Sequence, residues 1–179
     1  MKTIKLVTLI FLFLTLPSFV YSDYPNTSIG VIDLNFILSE ASAAKDAATQ
    51  IEEIAKVIEA EIMQKDDELI NEQNLLIESQ AIMAPEAFDL KRKDYENKVQ
   101  NYNIERQSTL AELDMLVSVS RSNVLNALKP ILEEISNEKG ITILLEKQSA
   151  LLNADGMDIT EEALKKLNKE LPKLKVSRD

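Results

Sequence analysis

Between Gly30 and Gly140 lie 109 residues without a single glycine, and near their middle stands a proline, in Met83-Ala84-Pro85-Glu86. Glycine costs about 1 kcal/mol in a helix interior and proline about 3 kcal/mol, so their positions mark where helices begin and end. A helix-permissive stretch of this length, interrupted at its centre, predicts a long antiparallel helical hairpin over residues 39–135, with its tip near 83–87. Strand-like segments accompany each glycine, Ser28–Asp33 around Gly30 and Ile141–Lys147 just after Gly140. They set the two arms on a small body and make the expected class α+β, mainly α.

The first 22 residues read as an export signal. Lys2 and Lys5 precede an apolar run, Leu6 to Leu16, which Pro17 breaks, and Val20 and Ser22 supply small residues at the −3 and −1 positions. Cleavage is expected before Asp23. The run is too short to span ~30 Å of hydrocarbon, which argues against a membrane anchor. The chain has no cysteine, so neither a lipid-modified cysteine nor a disulfide can form. An exported, soluble mature chain is expected.

Losing residues 1–22 removes Lys2 and Lys5 but no acid, which takes the net charge from −10 to −12. Nucleic acid is therefore not an expected partner, because phosphate binding needs clustered Lys and Arg. The acids concentrate on the ascending arm, where Glu40–Glu78 holds eleven acids and three bases. The descending arm balances five acids and five bases over Glu86–Arg106, including Lys91-Arg92-Lys93.

A seven-residue register runs through both arms. Ala55, Ile62, Leu69, Leu76 and Met83 repeat at sevens, with Ile51, Ile58, Lys65, Glu72 and Ser79 as companions. One row thus stays apolar while the other turns polar after Ile58, leaving a stripe too thin for a well-packed coiled coil. On the return, Phe88, Tyr95 and Tyr102 repeat at sevens around Arg92, Val99 and Arg106. The stripe thickens near the base through Leu110, Leu113, Leu116, Val117, Val124, Leu128, Ile131 and Ile135. Arms of about 45–50 residues would reach roughly 65–75 Å. Pro130 should kink the second helix, and Gly140 should cap it.

The body is assigned to residues 23–38 and 136–179. A second strand is expected at Ala150–Asn153, then a helix from Glu161 to Leu171, started by Asp158 or Thr160 with an Asp158–Glu161 capping box. So small a body, with no disulfide to brace it and with open strand edges, predicts a β core shared between protomers. Ile29, Val31, Ile141, Ile143, Leu145 and Leu151 are the residues expected to form it.

Catalytic chemistry has little to work with. There is no histidine, cysteine or glycine-rich phosphate loop, which removes imidazole bases, thiol nucleophiles and most zinc sites. Acid pairs such as Asp66-Asp67-Glu68 and Glu133-Glu134 read as solvated helix faces. Asp155-Gly156-Met157-Asp158 lacks the further ligands of a calcium loop. No enzyme and no cofactor are expected.

Val31-Ile32-Asp33, Ile37-Leu38-Ser39-Glu40, Lys45 and Gln50-Ile51-Glu52 resemble the opening of the Skp/OmpH family of periplasmic chaperones. Gly140 to Lys147 followed by Ala150-Leu151-Leu152 resembles its closing strands, and Asp158-Ile159-Thr160-Glu161 with Leu164, Leu167 and Asn168 its last helix. The resemblance implies a homotrimer in which a shared β-barrel body carries three hairpin arms around a cavity. It further implies ATP-independent binding of unfolded outer-membrane proteins in the periplasm of a Gram-negative bacterium. Two departures stand out: Ala44 replaces a usual glycine, and the acidic charge differs from the basic members and argues against docking on anionic membrane surfaces.

Under this holdase reading, clients would meet the arm faces at Ile62, Leu69, Leu76, Met83, Phe88, Tyr95, Val99 and Tyr102. Individually, most of these residues suit the seam between the two helices better. A second reading makes the hairpin an envelope spacer or adaptor, with Phe88 and Lys91-Arg92-Lys93 as its docking patch.

Overall fold

A computed structural model describes residues 27–178; the expected signal peptide lies outside them. Strand β1 spans Ile29–Ile32, and Asp33 then accepts a 2.9 Å hydrogen bond from the Phe36 amide to cap helix α1, Leu34–Glu40. The segment Leu34–Leu38, expected as a turn, is thus helical. One extended residue, Ala41 (φ −58°, ψ 133°), separates α1 from α2, Ser42–Ser79. At the tip, Pro85 occupies the first turn of α3, Pro85–Lys139, where its missing N–H costs nothing. Pro130 lies within α3 without interrupting it.

The arms are unequal: α2 has 38 residues and α3 has 55, about 57 and 82 Å at 1.5 Å per residue. Expected from 39 to a tip near 83–87, the first arm helix instead starts after the break at Ala41 and stops at Ser79, before the tip turn. The last turns of α3 run on into the body core.

Gly140 ends α3 in the left-handed region, at φ 65°. The Ile141 amide reaches the Ser136 carbonyl at 2.8 Å and the Gly140 amide the Asn137 carbonyl at 3.4 Å, the paired bonds of a Schellman motif. Gly140→Val is expected to destabilise the chain by about 1–2 kcal/mol in urea unfolding. Gly156→Ala, at a glycine with no positive φ and open space around it, should change stability by under about 0.5 kcal/mol.

Strand β2, Ile143–Glu146, pairs with β1 in parallel, Ile29 opposite Ile143 and Ile32 opposite Glu146. A parallel pair needs a long crossover, and here the whole hairpin serves. Side chains crowd Gly30: a Cβ there would lie 2.8 Å from Ile141 Cδ1 and 3.2 Å from Leu144 Cδ1 of β2. The second strand expected at Ala150–Asn153 is absent. A 3₁₀ turn, Lys147–Ser149, ends the sheet, and Leu151 and Leu152 are fully exposed. Among the described residues no neighbouring strand lies there to pair with them.

Helix α4, Thr160–Glu170, closes the body. Asp158 accepts from the Thr160 amide at 2.9 Å, and the Thr160 hydroxyl accepts from the Asp33 amide, tying the start of α4 to the start of α1. The N-cap residue of α4 is thus Ile159, which has no capping side chain, rather than the expected Asp158 or Thr160; Asp158 bonds the first helical amide from one position earlier, without the expected Glu161 partner. Burial works to raise its carboxyl, but Lys147, 2.6 Å away, and Thr160 outweigh this and hold it below the usual carboxylate range.

The core joins Ile32, Ile37, Ala41 and Ala43 to Val124, Leu128, Ile131 and Ile135 of α3 and Ile159, Ala163 and Leu167 of α4. Spacings of three and four put each helical set on one face. Beyond Pro172 the chain turns back along α2. The Leu174 amide donates to Asp46 (3.2 Å), Gln50 donates to the Leu174 carbonyl (2.8 Å), and the Val176 amide donates to Gln50 (3.0 Å). Arg178 then lies 3.3 Å from Glu61 and 3.7 Å from Glu112, one on each arm.

Candidate client-binding surface

Every arm residue that the sequence nominated for client contact is at least half-buried. Leu69 and Tyr102 are buried, and Ile62, Leu76, Met83, Phe88, Tyr95 and Val99 are half-buried. None of the eight stands on an open face, because the seven-residue register that made them conspicuous is the register that packs α2 on α3.

Where the apolar seam thins, polar links cross it. The Tyr102 hydroxyl donates to Asp66 at 2.8 Å and lies 3.2 Å from the Ile62 carbonyl. Desolvation, then the neighbouring Asp66 carboxylate, raises the phenol above its ordinary pKa. Arg106 approaches the same carboxylate at 3.6 Å. Nearer the tip, Lys98 joins Glu72 of α2 to Asp94 of its own helix, and these partners, Glu72 foremost, raise its pKa. The polar companion Glu72 thus has a partner, while Lys65 turns outward to Glu68.

Open apolar surface lies elsewhere on the arms. Met63, Ile70 and Ile77 are 62%, 54% and 60% exposed and form a second seven-spaced row, one position after Ile62, Leu69 and Leu76. One position is about 100° of helix rotation, so this row flanks the seam. Ile82 at the tip, and Leu90, Ile104, Met115 and Val119 on α3, are also exposed. The row was present in the sequence as a period of seven, but the stronger neighbouring row masked it. At the arm base an apolar hollow of about 390 Å³ opens between Ala48, Ile51 and Ala55 of α2 and Val117 of α3.

In the adaptor patch Phe88 is half-buried and Arg92 is held by Glu96 at 2.7 Å and Asp89 at 3.4 Å, while Lys91 and Lys93 are exposed. In the body, four residues assigned to a shared core are exposed: Ile29, Ile143, Leu145 and Leu151. Val31 instead is buried within its own chain, and Ile141 packs on the core. Among the described residues no cluster of acids is arranged to hold a metal ion, and no helix is long and apolar enough to cross a membrane.

A family model described as outer membrane protein (OmpH-like) matches residues 28–167. No curated protein matches the chain. Among solved structures, an OmpH-like protein from Caulobacter crescentus, described as an outer membrane chaperone, superposes with a TM-score of 0.78. It is 17% identical, and the match covers 90% of this chain and 96% of that one. At that identity the likeness speaks for the fold, which is the same hairpin on a small body. The family model extends from β1 through both arms to Leu167 of α4, and the chain belongs to the OmpH-like family.

Proposed function

We propose that this chain is a periplasmic holdase chaperone that works without ATP and keeps unfolded outer-membrane proteins from aggregating. The observation that carries the reading is the open apolar row Met63, Ile70 and Ile77 on an otherwise acidic, solvated arm. An exposed apolar row set among charges makes many weak contacts with no deep pocket to select one client, as a promiscuous binder requires. Family membership supports a chaperone role. Half-buried seam residues such as Ile62 and Leu76 contribute their edges to the same surface. The test is dilution of a urea-unfolded β-barrel protein with and without the mature chain. Suppressed light scattering at stoichiometric amounts is expected, and undiminished aggregation would sink the reading.

The working unit in this proposal is a homotrimer with a shared β-barrel body. Supporting it, β1 and β2 form a two-stranded sheet whose residues Ile29, Ile143 and Leu145 are exposed, and Leu151 and Leu152 have no cover in the single chain. Open strand edges with apolar side chains call for a partner. Leu151→Glu with Leu152→Glu is expected to reduce a sedimenting trimer to monomer. A wild-type chain that is a folded monomer at micromolar concentration would overturn the shared body.

A further inference from the structure

We propose that one face of α2, formed by Asp46, Gln50, Ile54, Val57 and Glu61, is a track for extended polypeptide, which the chain's own segment Leu174–Arg178 fills until a client displaces it. This deepens the holdase reading and rests on it. The five α2 residues are spaced four, four, three and four apart, which puts them in one row.

The contacts along the row read backbone. Gln50 donates to the Leu174 carbonyl and accepts from the Val176 amide, as a neighbouring β-strand would, and Asp46 takes the Leu174 amide. Any extended chain offers those groups, so these three bonds carry no sequence requirement. Above them, Ile54 and Val57 line a hollow with Val176, and Glu61 receives Arg178. The spans agree: four steps of extended chain from Leu174 to Arg178 cover about 13 Å. Eleven helical steps from Gln50 to Glu61 cover about 16 Å, and the long Arg178 side chain makes up the difference.

The occupant defines the ligand. Val176 is half-buried in the hollow and Leu174 is half-buried where the track meets the body core, while Lys173, Lys175 and Ser177 are exposed, so the track accepts an extended segment with apolar residues at alternate positions and cations between them. Alternation of that kind marks the strands of membrane β-barrels. The acidic surplus of α2 then draws in such segments and holds their basic residues.

The test uses the intact mature chain and two octapeptides, one alternating leucine and lysine and the other with four leucines followed by four lysines. Hydrogen exchange is read at the Leu174 and Val176 amides. Saturation with the alternating peptide should speed exchange at both by about tenfold or more, as the docked tail is displaced. The blocked peptide should leave both rates near their starting values. Gln50→Ala, which keeps the whole chain, should speed the same two amides without any peptide. Unchanged exchange in the presence of the alternating peptide, whether it binds elsewhere or not at all, would overturn the track. Aggregation assays separate the two claims: a displaced tail without suppressed aggregation removes the holdase alone, and suppression with an undisturbed tail removes the track alone.

Discussion

Leu128→Ala is expected to lower the unfolding free energy by about 3 kcal/mol in urea denaturation at fixed protein concentration. Leu128 is 1% exposed and sits where α3 enters the body, in one cluster with Ile32 of β1, Ile37 of α1 and Leu167 of α4. The body is small and has no disulfide, so neighbouring side chains cannot be braced from elsewhere when the cavity opens. Removing three buried carbons forfeits their transfer free energy and leaves an unfilled space. The same truncation at Leu75, 65% exposed on α2, should cost under about 0.5 kcal/mol. A small loss at Leu128 would mean that the body is not the region that holds the arms together.

The second large effect is on function. Met63→Ser, Ile70→Ser and Ile77→Ser together should leave the urea midpoint nearly unchanged, since each side chain is more than half exposed. Client affinity should fall by about a hundredfold, because each position gives up roughly 1 kcal/mol of apolar burial against the client. The control is Leu69→Ala in the seam, which should loosen the arm while leaving the open row in place. The two variants separate surface chemistry from arm stability: aggregation suppression must track the first and the unfolding midpoint the second.

The glycines and Pro85 made much of the fold legible in the sequence. Gly30 belongs to β1, Pro85 starts α3 and Gly140 ends it in the left-handed conformation that only a residue without Cβ adopts cheaply. These are local backbone requirements, and local sequence states them. The break at Ala41 has no such statement. Alanine favours helix, and the chain bends there because Ala41 is buried in the core and Asn168, 126 residues away from Ser42, accepts the Ser42 amide at 2.7 Å.

Ala150–Asn153 erred in the opposite direction. Its apolar residues have strand character, but a strand needs a neighbour, and the described residues supply none beside Leu151 and Leu152. For the arm surface the sequence shows a period more readily than a role. A row at sevens marks what packs as readily as what binds, and the arm residues nominated from it are all at least half-buried. The open row one position away has only three members. The returning tail was invisible because Gln50 and Asp46 are ordinary polar helix residues until their backbone partners arrive from the far end of the chain.

The most direct test of client binding on the open row compares two neighbouring positions in this cysteine-free chain. Single cysteines at Ile70→Cys and Leu69→Cys are alkylated with and without a saturating unfolded β-barrel client. If the open row holds the client, Ile70→Cys should react quickly when free and about tenfold more slowly when loaded, while Leu69→Cys should react slowly in both states. Equal rates at Ile70→Cys with and without client, or a Leu69→Cys that becomes reactive on loading, would contradict that mode of binding, the latter by showing that clients bind through an opened seam.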